Sequence, residues 1–86
     1  MGTRPFMVAE LGSNPAWTGK TWWVACKTAK GAEAAFRRRV ADNLAIEGHE
    51  GFVVAYERAT GHLLLWTSQV KNPKRVLYDY GIVHRL

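Results

Sequence analysis

The chain carries a single cysteine, Cys26, among its 86 residues, so no disulfide can form within it and its fold must rest on packing alone. Its 3 prolines and 8 glycines are scattered, which argues against a low-complexity, linker-like or disordered chain. No uninterrupted apolar run approaches the roughly 20 residues that span a bilayer. Phe6 stands where an N-terminal myristoylation signal needs Ser or Thr. No basic start leads into an apolar stretch and a small-residue cleavage site, so the cytoplasm is the expected compartment and no membrane partner is expected. Acidic residues are scarce, 7 against 12 Lys plus Arg, for a net charge of +5. That balance favours acidic partners such as nucleic acid, with plain solubility as the competing reason for it.

Motifs that carry chemistry are missing as well. His49, Glu50, His62, His84 and Cys26 offer metal ligands, yet no pair has a spacing that would place two donors on one ion. Thr18-Gly19-Lys20-Thr21 has the ending of a phosphate-binding loop. Asn14 replaces the required first glycine, however, and a strand rather than a helix follows. Cys26 falls on an apolar strand face, where burial keeps a thiol protonated and inert. The acidic residues are dispersed and form no acid/base pair. A non-catalytic protein without metal or cofactor is the expectation.

What is present is a pattern of elements. At 86 residues the chain suffices for one domain, 1–86, burying on the order of 60% of the surface its unfolded form exposes. No period of 20 to 50 residues recurs. Pro5 to Leu11 reads as a short edge strand, since Pro is tolerated at a strand's start or edge. Gly12 to Gly19 is a loop with Trp17 in its middle. Lys20 to Thr28 alternates, with Trp22, Val24 and Cys26 on one face and Trp23 and Ala25 on the other. From Ala32 to Glu47 an amphipathic helix is expected, with Gly31 as N-cap, Gly48 beyond its end, and Ala32, Phe36, Val40 and Leu44 on its buried stripe. Phe52 to Tyr56 and Leu63 to Trp66 form a hairpin through Ala59-Thr60-Gly61, where Gly61 supplies a positive φ.

Asn72-Pro73 is an N-cap and first-turn signature, and Gly81 can close the short helix it opens. Val76 to Tyr80 are also strand-favouring types. The helix, followed by an extended tail, is the preferred reading of 73–80. The fold class is therefore α+β: a small, mostly antiparallel sheet of three to five strands, one main helix at about 32–47 on one face, and a short C-terminal helix.

The hairpin is apolar on both faces. Phe52, Val54 and Tyr56 fit the helix-covered side, which leaves Val53 and Ala55, with Trp23, on a face needing another cover. The chain's own ends, a second copy or a partner can supply it. Trp17, Trp23, Val53 and Ala55 are accordingly the candidate partner-binding residues, the aromatic ones suited to base stacking or to anchoring a protein.

Two basic clusters compete as anion sites. Arg37-Arg38-Arg39 sweeps about 200° around a helix, and Glu33 and Asp42 stand four residues from Arg37 and Arg38. Those arginines read better as a solvated face. Lys71, Lys74 and Arg75 lie in a stretch from Thr67 to Tyr78 without an acid. At a helix start such cations oppose the dipole until a phosphate arrives.

No ribonucleoprotein aromatic motif or G-x-x-G loop is present to specify an RNA-binding family. Compact size, high Trp and Arg and the lack of catalytic residues resemble the small accessory proteins of phages and mobile elements, many of which inhibit host machinery by steric binding. The favoured reading is a binding protein that engages a nucleic acid or nucleoprotein complex through basic and aromatic surfaces. The alternative is a protein-interaction module, homodimeric through the open sheet face, without direct nucleic-acid binding.

Overall fold

In the computed structural model, the described residues are 4–11, 20–46, 52–68 and 70–84. They form β1 (Phe6–Leu11), β2 (Lys20–Cys26), α1 (Ala29–Ile46), β3 (Phe52–Glu57), β4 (Leu63–Trp66) and α2 (Pro73–Asp79). The strands make one antiparallel sheet in the order β2-β1-β3-β4. This is the α+β class expected, with the short C-terminal helix present. The first strand is central, not an edge: β1 pairs with β2 through Val8↔Val24 and with β3 through Val8↔Ala55. Pro5 stays just outside the ladder, where its missing N–H costs nothing. Because β2 and β3 are both antiparallel to β1, they run parallel to each other. Helix α1 carries the chain from the β2 edge across β1 to β3.

Helix α1 starts earlier than the glycine signal suggested. Thr28 is its cap, accepting the Gly31 N–H on Oγ1 at 2.9 Å, because a hydroxyl can satisfy a free first-turn N–H that glycine leaves open. Gly48 lies outside the described residues. The helix covers Val8, Val53 and Ala55, which are buried with Ala32 and Phe36 and flanked by Trp22, Val24 and Cys26. Leu44 departs from the expected stripe: it is 51% exposed, while Asn43 is 3% exposed. A step of four residues advances 400° and so drifts about 40° each time, leaving Leu44 about 120° from Ala32 and Asn43 only about 20° away.

The hairpin forms where expected, with Gly61 at φ +74. Its faces are the reverse of the expectation. Met7, Ala9, Leu11, Val54 and Tyr56 form the opposite side, buried with Val70 and Leu77 and packed by Val76, Tyr80, Ile82 and Val83. Thus α2 and the tail behind it supply a cover for that side, and of the chain's own ends, a second copy or a partner it is the chain's own end that packs there. Asn72 caps α2 through Oδ1, which accepts the Arg75 N–H at 3.2 Å. Gly81 ends it at φ +72. Burial raises the Tyr56 phenol above its ordinary 10.0, with the Arg58 charge acting in the opposite direction. Burial alone raises Tyr80. Among the described residues, no helix is long and apolar enough to cross a membrane.

Candidate nucleic-acid interface

The two basic clusters read from the sequence do not meet. Arg37 and Arg38 ride on α1, whereas Lys71, Lys74 and Arg75 belong to the α2 segment on the other face of the sheet. Arg37 pairs with Glu33 at 3.1 Å, as the i,i+4 spacing implied. Arg38 is exposed and makes no ion pair among the described residues. In the second cluster, Arg75 Nε donates to Asp79 Oδ1 at 3.1 Å and its guanidinium lies over the Tyr78 ring. The acid-free window closed one residue too early to include Asp79. With the Arg75 N–H already held by Asn72 as well, Lys71 and Lys74 are the two cations of that site without an ion pair among the described residues.

The apolar candidates divide similarly. Val53 and Ala55 are fully buried beneath α1 and offer no partner surface. They had been placed on the wrong side of the hairpin, since a strand apolar on both faces has no polar side to fix its orientation. Trp23 is 57% exposed on edge strand β2. Trp17, with Thr18 and Gly19 of the loop-like motif, lies outside the described residues.

A different set of cations is assembled by the sheet. Phe6 pairs with Cys26 on one side and Glu57 on the other, so Arg4, Lys27 and Arg58, the residues just beyond those partners, arrive at one end of three adjacent strands. Arg58 N–H donates to Pro5 O at 2.7 Å, and Arg4 Nη1 reaches Ala25 O at 3.4 Å. Lys30 follows Lys27 by three residues, in the first turn of α1, which contains no acid. All four are exposed and none has an ion-pair partner among the described residues. The neighbouring acid, Glu57, accepts the Thr60 hydroxyl at 2.7 Å.

With strands about 4.8 Å apart, Lys27 and Arg58 flank β1 at a separation of roughly 10 Å. Trp23 lies within β2, four residues before Lys27. Sequence reasoning missed this set because Arg4, Lys27 and Arg58 are far apart in the chain, each beyond the end of an apolar strand. Only strand order brings those three together.

The third arginine of the triplet is built into the scaffold. Arg39 Nε donates to Glu10 Oε1 at 2.6 Å, Asn43 Nδ2 donates to the same oxygen at 3.1 Å, and the guanidinium sits 4.7 Å from the Trp22 ring centre. This network ties α1 to β1 and β2.

Among the described residues, a concave region of about 370 Å³ lies between α1 and β4, and another, of about 380 Å³, lies beside Arg58, Gly61, Val83 and His84. Among the described residues, no group of three or more His, Cys, Asp and Glu side chains could hold a metal ion. A scan against protein-family models and searches of curated proteins and of solved structures return no match to this chain.

Proposed function

We propose that this is a non-catalytic binding protein whose partner is nucleic acid, free or within a nucleoprotein complex, with phosphates held by Arg4, Lys27, Lys30 and Arg58. The observation that carries the reading is the arrival of exposed Arg4, Lys27 and Arg58, none ion-paired among the described residues, from three segments at one end of the sheet, with Lys30 three residues beyond Lys27. A phosphate backbone is a repeating anion that can engage several of them together and release counterions as it does so. Trp23, exposed at the middle of β2 three residues before Cys26, is an aromatic side chain of the kind on which bases stack. Single strands are therefore the preferred form. Lys71 and Lys74, on the other face, serve as a weaker second contact. Such a protein acts by occupying its target, which suits an accessory or inhibitory role, and its one cysteine suits the cytoplasm.

Binding of a labelled oligonucleotide, followed by fluorescence anisotropy over a salt series, tests this. At about −0.7 log units per phosphate neutralised on a single strand, four contacts give a slope near −3. Replacing Lys27, Lys30 and Arg58 together with Gln should remove about 2 units of that slope. Replacing Lys71 and Lys74 should remove less. Trp23→Ala should weaken single-strand binding by about 1–3 kcal/mol and leave duplex binding nearly unchanged. Absence of binding by the unaltered protein at low salt, or equal slopes for the two charge variants, would refute the assignment.

A further inference from the structure

We infer that the groove between α1 and edge strand β4 is a docking site for an extended, acidic and apolar segment of a partner protein, which adds a fifth strand to the sheet. Three observations support this independently of the nucleic-acid reading. First, β4 is an edge strand, with no described strand on its outer side. Thr67 N–H turns inward to Val53 O at 3.1 Å, so by the alternation of a strand the N–H and C=O of Trp66 turn outward. No described backbone group pairs with them. An extended peptide supplies the missing partners, as in other cases of strand addition.

Second, the groove beside that edge is apolar where it is deepest, with Phe36, Val40 and Leu44 from α1 and Trp66 from β4. Leu44 and Trp66 are 51% and 46% exposed. Val54, the cross-strand partner of Trp66, faces α2, so Trp66 and Leu44 lie on opposite faces of the β4 edge, where they can receive the alternate side chains of an added strand. Third, the charge selects the occupant. Arg37 lines the groove, and its pairing with Glu33 is between two well-exposed side chains, a contact weak enough for an incoming carboxylate to replace. A second copy of this chain is the wrong occupant, since it brings another net charge of +5 to a groove lined by Arg37.

The test is amide-resolved NMR of the full chain, titrated with a peptide alternating valine and glutamate and, in parallel, one alternating valine and lysine. The valine–glutamate peptide should shift the amides of Leu64, Leu65 and Trp66 and slow exchange of the Trp66 N–H, while the valine–lysine peptide leaves them in place. Leu44→Lys, at an exposed position, should weaken binding roughly tenfold or more. Arg37→Glu should reverse the preference between the two peptides. The proposal fails if neither peptide moves the β4 amides, if both move them equally, or if the shifts are confined to Arg4, Lys27 and Arg58. It also fails if the same amides shift with protein concentration in the absence of peptide, since the occupant would then be a second copy. Oligonucleotide binding by the same sample reports on the strand-end cations separately, so either reading can fail without the other.

Discussion

Arg37, Arg38 and Arg39 are consecutive, yet each has a different environment, and the difference follows from the 100° turn between successive helical positions. Arg37 falls on the β4 flank beside Leu44, Arg38 points to solvent, and Arg39 falls on the β2 flank, where Glu10, Asn43 and Trp22 receive it. The divergence was legible in the sequence. The Glu10 partner was not, because 29 residues separate the pair and only strand register brings β1 under that flank. Arg38→Ala should change stability by no more than about 0.5 kcal/mol. Arg39→Ala removes a short charge-assisted hydrogen bond from a carboxylate that is mostly shielded, so it should cost about 2 kcal/mol. Urea unfolding of the two variants measures both. Equal small effects would mean that the Glu10 network adds nothing to stability.

Among the elements, those with strong local signals were readable: the alternation of β2, the hairpin with its glycine turn, and the Asn-Pro opening of α2. Two features were not. The central position of β1 depends on which strands flank it, and no local pattern records that. The sidedness of β3 was also obscure, because Phe52 to Tyr56 is apolar on both faces and both are buried, one under α1 and one under α2 and the tail. The tail's packing can be tested at the hairpin turn. A Cβ on Gly61 would come within 2.1 Å of Val83 Cγ1, at a φ of +74 that side chains avoid. Gly61→Ala should therefore destabilise by more than the ordinary cost of about 1 kcal/mol for a positive-φ substitution. Gly81 has a similar φ and nothing within 4 Å, so Gly81→Ala should show the backbone cost alone. Thermal melts of the pair isolate the contribution of the Val83 contact.

For the whole molecule, the sheet is both the assembler of the candidate site and the partition between two cores. Strand order gathers Arg4, Lys27 and Arg58 from three segments, a grouping that no local cluster in the sequence records. The partition has an energetic consequence. Val8 and Val53 face α1 while their neighbours Met7, Ala9 and Val54 face α2 and the tail, so each core is lined by alternate residues of the same two strands. Neither core can open without loosening the backbone that holds the other, and unfolding should be a single cooperative transition. Phe36→Ala on one side and Leu77→Ala on the other should each cost on the order of 3 kcal/mol. Both should displace the same transition, whether it is followed by far-ultraviolet circular dichroism or by tryptophan fluorescence. If Leu77→Ala instead produced an early loss of helix with tryptophan fluorescence unchanged, α2 would be an independently unfolding flap, and the α2 face of the sheet would be available to a partner after all.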